Sequence, residues 1–313
     1  MRAKAKVFFR EIPRALPWLL FAAASVPATA SECDDISLPA GQIIWCDSFE
    51  DEDLPGSGNF ADNYFNFQDN TGGQRYGRST QESYDGSYSL RHAWQAGEVN
   101  PGWLYRTFGR SPVSSLSHSQ TDFREIYWRF HVKYPQGTSV FPNKLTRAMI
   151  FAASSPGWAQ AMIGHVWLVD TGSQFQRIDP TSGTDVAGNL QSTKINDNAN
   201  LRWLGGVNSP VPITVGDWQC HEVHISLNTA GASDGVFELW LDDQLVASRD
   251  DLNWVGAYNS YGINAIMLES YWNGAAPQAT ERYIDGFVIA TERIGCATQV
   301  AVRPNPPSQL VAN

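Results

Sequence analysis

The residues predict an all-β sandwich or barrel, on three observations. Short segments in which apolar and polar residues alternate recur along the chain. Gly, Asn, Asp, Ser and Pro separate them, and beyond residue 30 no segment holds helical periodicity over three turns. The expected strands run in order through residues 43–49, 88–94 and 103–108, then Glu125–Lys133, where the alternation is strictest. They continue through 162–169, 221–227, 236–241, 263–271 and 283–290. In Glu125–Lys133 the apolar Ile126, Trp128, Phe130 and Val132 point to one side of the strand and Tyr127, Arg129, His131 and Lys133 to the other. The polar side either grips an acidic ligand or faces water.

Residues 1–30 read as a secretory leader. Arg2, Lys4, Lys6, Arg10 and Arg14 form a positive n-region, residues 18–24 a short apolar run, and Ala28-Thr29-Ala30 a cleavage site. The apolar run is too short to span a membrane. Removing residues 1–30 takes five Lys+Arg and one Asp+Glu, so 17 basic residues stand against 31 acidic ones in the remaining 283, a net charge of −14. Such a chain is a poor partner for nucleic acid or for an anionic membrane surface. One domain over residues 31–298 is expected, followed by a Pro-rich tail at 299–313, as a monomer exported to the periplasm or the medium. Cys33, Cys46, Cys220 and Cys296 are an even count, which favours disulfides in an oxidising compartment, with the pairing open among three connectivities. Residues 170–211 are polar and too long for an ordinary connection, although Leu201-Arg202-Trp203-Leu204 suggests that part of the segment packs.

Several motifs stand in the order of the concanavalin-A-like jelly-roll superfamily. Residues 46–51 (CDSFED) resemble its opening strand, and 85–90 (DGSYSL) its "G-S-x-S-L" strand. Residues 234–243 (DGVFELWLDD) resemble a "DGxxxLWxDG" hairpin strand, and 283–289 (YIDGFVI) the closing one. Within the superfamily the chain resembles alginate-lyase-like and glucuronan-lyase-like polysaccharide lyases. Residues 125–135 resemble their "E-x-Y-x-R-x-x-V-K-x-P" strand, Lys144-Leu145 their "G-K-L", and Trp218 to Glu222 with Leu227-Asn228 their "W-x-C-x-E…L-N" strand. The resemblance implies a jelly-roll β-sandwich of two antiparallel sheets and a cleft role for Lys144. Asn143 stands where the pattern has Gly, Thr146-Arg147 where it has Pro-Gly, and residues 160–180 hold no counterpart of the family's tyrosine pair. The glycoside-hydrolase pattern E-x-D-x-x-E is absent.

Cleaving a uronic acid polymer by β-elimination needs cations on the carboxylate, a base for the C5 proton and an acid for the departing oxygen. Lys144 and Arg147, expected in the loop after Glu125–Lys133, are candidates for the carboxylate. Residues 141–204 hold five Lys+Arg against four Asp, so a basic cleft in an acidic protein is permitted. If Val166 and Leu168 face the core, His165 and Trp167 share the other face, as candidate base and sugar platform. Glu269 and Tyr271 share a face by the same alternation, Tyr271 as candidate acid and Glu269 as a binding group. Arg129, Arg202 and Trp203 are further candidates for substrate contact, and Trp158 and Trp272 for stacking on sugar rings. His221 and His224 point to opposite faces of a strand and cannot share a metal. No cofactor is expected for catalysis. The resemblance adds a structural calcium, for which Glu50, Asp85 and Asp285 offer hard oxygen ligands. The expected partner is an acidic polysaccharide. The alternative functions are a non-catalytic carbohydrate-binding protein, with exposed tryptophans along a groove, and a structural envelope protein with none.

Overall fold

A computed structural model describes residues 32–34, 36–50, 63–72, 74–138, 143–170 and 174–296. The expected leader and tail lie outside these residues. The described residues form sixteen strands. They are β1 (Ile43–Asp47), β2 (Asn66–Asp69), β3 (Tyr76–Ser79), β4 (Ser89–Trp94), β5 (Gly102–Thr107), β6 (Glu125–Lys133), β7 (Asn143–Phe151) and β8 (Gln160–Asp170). The second half adds β9 (Gln174–Ser182), β10 (Arg202–Trp203), β11 (Val207–Pro212), β12 (Trp218–Ser226), β13 (Gly235–Leu241), β14 (Gln244–Leu252), β15 (Ala265–Leu268) and β16 (Thr280–Ala290). One eight-stranded sheet runs β14-β13-β12-β6-β16-β4-β3, with β1 also paired to β16. The other runs β10-β9-β8-β7-β15-β5-β2, with β11 paired to β9. Every pairing is antiparallel, and the two sheets form a jelly-roll β-sandwich.

The core fills the space between the sheets because both inner faces alternate as a half-buried sheet requires. From β6 come Ile126, Trp128, Phe130 and Val132, all at 1% exposure or less. Across from them lie Leu145, Ala148 and Ile150 of β7 with Val166 and Leu168 of β8. The Trp128 indole donates to Thr146 Oγ1 at 3.2 Å, so its polar edge is satisfied between the sheets. Gly164 lets the sheets close up: a Cβ there would meet Ile225 Cδ1 at 2.4 Å.

Two disulfides brace the sandwich: Cys33–Cys46 fastens the N-terminal segment to β1, and Cys220–Cys296, 76 residues apart, ties β12 to the chain after β16. No helix of the described residues is long and apolar enough to cross a membrane.

The polar side of β6 lies on the outer face of the first sheet and is covered from the N-terminal end. Arg129, 2% exposed, pairs with buried Glu32 at 2.5 Å and donates to the Gly295 carbonyl. His131 lies 3.4 Å from the same carboxylate and stacks on Tyr84 at 3.6 Å. Burial pushes the Glu32 carboxyl up, but His131 and Arg129 outweigh it and hold it below its ordinary value. Arg129 is therefore a structural cation, not the substrate contact expected. His221 faces inward against Phe130 and Gln176, while His224 faces outward between Glu125 and Glu238.

The residues expected to bind calcium surround the turn leading into β4. Asp285 accepts hydrogen bonds from the amides of Tyr84, Asp85 and Gly286, and Glu50 from those of Ser87 and Tyr88. Among the described residues no three His, Cys, Asp or Glu side chains are grouped to hold a metal. Asp285 and Glu50 thereby organise the turn leading into β4.

Candidate active site

A cleft of about 780 Å³ opens on the outer face of the second sheet. Strands β7, β8 and β15 lie side by side there, and their cross-strand register builds the site. Arg147 stands opposite His165 on one side and Met267 on the other, and Met267 in turn opposite Tyr105 of β5. One row of the sheet thus carries Tyr105, Met267, Arg147 and His165. Lys144 stands opposite Trp167 in the neighbouring row.

Lys144 and Arg147 are three positions apart, a spacing that puts side chains on opposite faces of a regular strand. A β-bulge between Lys144 and Thr146 removes that conflict. Leu145 and Thr146, both fully buried, turn inward, and Lys144 and Arg147 both line the cleft. The two cations belong to strand β7, not to the loop expected. After β15 the chain keeps to the same edge. The Glu269 amide donates to the Leu145 carbonyl at 3.0 Å, and the Lys144 amide to that of Tyr271 at 2.9 Å. Glu269 and Tyr271 are thereby set beside Arg147 and Lys144. Arg282 of β16, fully buried, reaches through the sandwich to clamp this junction, donating to the carbonyls of Lys144 and Glu269 and to Asn143 Oδ1.

The charged groups are closely balanced. Arg147 Nε and His165 Nε2 each lie 3.5 Å from a Glu269 oxygen. Arg147 also donates to Asn196 Oδ1 at 2.6 Å and to the Tyr105 hydroxyl at 3.1 Å. Burial alone would pull the guanidinium down, but Glu269 and Tyr105 outweigh it and Arg147 stays charged. His165 is pushed well below its ordinary value, by burial first and then by Arg147 and Lys144, so its imidazole is neutral. Burial also lowers the Lys144 ammonium, which has no ion-pair partner among the described residues. Its Nζ lies 4.9 Å from the Tyr271 ring centre and 5.2 Å from that of Trp167.

Aromatic and amide side chains complete the walls. Trp103, Trp158 and Trp203 line the cleft with Tyr105 and Tyr271, and Trp203 is 52% exposed at the rim. Asn66, Asn196 and Asn198 add amides. Of the expected residues, Lys144, Arg147, His165, Trp167, Glu269 and Tyr271 meet here, with Trp203 on the short strand β10. Arg202, its neighbour, turns away to Ser182 and Asn253 and does not line the cleft. Trp272 is buried against Trp94. Tyr105, Asn196 and Arg282 were not singled out by sequence. Tyr105 alone left a trace there, sharing a face with Trp103 by alternation.

No protein-family model matches the chain, and no curated protein matches it in sequence. Solved structures do resemble it. A variant of alginate lyase Aly36B in complex with an alginate trisaccharide aligns at a TM-score of 0.54 and 15% identity, over 80% of this chain and 99% of that one. The endo-β-1,4-glucuronan lyase of the fungus Trichoderma reesei aligns at 0.50 and 10% identity, over 73% and 91%. A marine alginate lyase from Aplysia kurodai aligns at 0.50 and 15% identity, over 69% and 86%. At these identities the likeness establishes the fold alone, a jelly-roll sandwich shared with these structures.

Proposed function

We propose that this protein is an exported enzyme that cleaves a uronic-acid-containing polysaccharide by β-elimination. The observation that carries the reading is the convergence of Lys144, Arg147, His165, Glu269 and Tyr271 on one cleft, two of them brought together by a bulge. The names of the structural neighbours, alginate and glucuronan lyases, point the same way. Two disulfides fit an oxidising compartment outside the cytoplasm.

A bound uronate carboxylate lies against Lys144, with Arg147 behind it, and its neutralised charge makes the C5 proton acidic. The neutral imidazole of His165 takes that proton. The C4–O bond breaks as the C4–C5 double bond forms, and the Tyr271 hydroxyl donates a proton to the leaving oxygen. Carboxylate binding offsets the positive field of Arg147 and Lys144 and raises the basicity of His165. Glu269, 3.5 Å from Nε2, then stabilises the imidazolium. Tyr105 and Asn196 position Arg147.

A second reading, carbohydrate binding without cleavage, draws on the exposed Trp203 and on the guanidinium already engaged by Glu269. Incubation with a panel of uronic polymers separates the two. Absorbance from unsaturated ends supports the lyase. Binding with no new ends, and unchanged binding in Lys144→Met and His165→Gln, supports the lectin-like reading.

A further inference from the structure

We infer that the polymer acted on carries its uronates singly, separated by neutral sugars, and is not a homopolymer of uronates; the inference rests on the lyase reading of the same cleft. The ground is the charge of the walls. Lys144, Arg147 and Glu269 are the charged residues lining the cleft, and His165 beside them is neutral. Glu269 balances Arg147 at 3.5 Å, so the lining of described residues carries one net positive charge. That suffices for one carboxylate.

Neighbouring cations are engaged by other groups: Lys194, exposed one position before the lining Ile195, sits beside Asp197. Arg106 lies over Trp45 and donates to the Asn63 carbonyl, Arg202 donates to Ser182 and Asn253, and Arg177 faces Asp179 and Asn208. The internal stretches outside the described residues, at 35, 51–62, 73, 139–142 and 171–173, contain no Lys or Arg. The chain as a whole carries a net charge of −10, a field that opposes a densely anionic polymer.

A cleft of about 780 Å³ has room for more than one sugar ring. A homopolyuronate brings a carboxylate on every ring, so further carboxylates would be desolvated with no cation to meet them. The remaining walls suit neutral sugars. Asn198 and Asn273 present amides that both donate to and accept from hydroxyl or acetamido groups, while the side-chain oxygens of Asn66 and Asn100 accept from the Trp103 indole and the Ser270 hydroxyl. Trp103 and Trp203 offer flat apolar faces.

The test uses the full chain on two substrate sets: heparosan, in which glucuronate alternates with N-acetylglucosamine, and the homopolymers polymannuronate, polyguluronate and glucuronan. Tetrasaccharides of each are measured in parallel by calorimetry. We expect kcat/KM on the alternating polymer to exceed that on every homopolymer by at least about tenfold. Asn273→Lys, which adds a cation at an exposed lining position, narrows the ratio at least about threefold. A homopolymer cleaved as fast or faster overturns the inference and leaves the lyase reading standing. If nothing is cleaved, the lyase reading fails and calorimetry decides the charge selection. Tighter binding of the alternating tetrasaccharide upholds it; equal or tighter binding of a homo-oligouronate, or no binding of either, overturns it.

Discussion

Replacing Lys144 with Met separates a catalytic charge from a structural one. The methionine keeps most of the volume and the contacts with the Trp167 and Tyr271 rings while removing the ammonium. In the folded protein that ammonium lacks an ion-pair partner among the described residues, and burial lowers its pKa below the ordinary lysine value. A lysine lowered in this way binds its proton more weakly folded than unfolded, so the charged form opposes folding at neutral pH and the opposition fades as pH rises toward the ordinary value. The loss on substitution is limited to cation–π contact with two rings, about 0.5–2 kcal/mol before that relief. Lys144→Met should therefore change the free energy of unfolding in urea by less than about 1 kcal/mol. Activity behaves differently, because a cation facing charge that develops in the transition state is worth about 3–4 kcal/mol, or roughly 10²–10³ in kcat. Initial rates of unsaturated-end formation measure it at saturating polymer. A variant that is strongly destabilised, or one that keeps full activity, refutes the assignment of Lys144 as a cleft charge poised for substrate.

Other perturbations reach different parts of the account. Arg129→Ala leaves Glu32 buried without its guanidinium and should cost about 3–5 kcal/mol in urea unfolding, with KM of the folded fraction unchanged. A raised KM would return Arg129 to the substrate. The His165 imidazole is held well below 6.5 when folded, so the unfolded chain binds more protons as pH falls through and below 6.5, and the folded state loses stability there. His165→Gln should lessen that acid-side loss by up to about 1.4 kcal/mol per pH unit, read from urea midpoints at pH 7.5 and 5.5. Cys220→Ala with Cys296→Ala opens a 76-residue loop and should cost about 2–4 kcal/mol, more than opening the 13-residue loop between Cys33 and Cys46.

The fold was legible wherever alternation was clean. Strand β6 has the bounds its pattern predicts, because Ile126 to Val132 fill the core at every second position. Alternation also placed His165 with Trp167, and Glu269 with Tyr271, on common faces. Strand β7 was hidden by its own irregularity: the bulge at Leu145 breaks the period, and Met149 and Phe151, packed in a small apolar cluster on the cleft face, extend its apolar run. Strand β9 was hidden by polar residues in the interior, since Gln176 turns inward to hydrogen bond with His221. The expected long loop at 170–211 is thus partly sheet, and it delivers Asn196 and Trp203 to the cleft. Arg129 misled because a cation on a polar strand face reads the same under a buried acid as in a binding groove. What hides it here is Glu32, 97 positions earlier, a pairing that no local pattern encodes.

The central claim is a bond broken by elimination, and mass analysis of the products tests it most directly. Incubating the wild-type chain with uronate-bearing polymers should release oligosaccharides with an unsaturated uronate at the non-reducing end, each lighter by one water than the hydrolysis product. Products exclusively of full hydrolytic mass, with no unsaturated ends, or an intact polymer that remains bound, would contradict it.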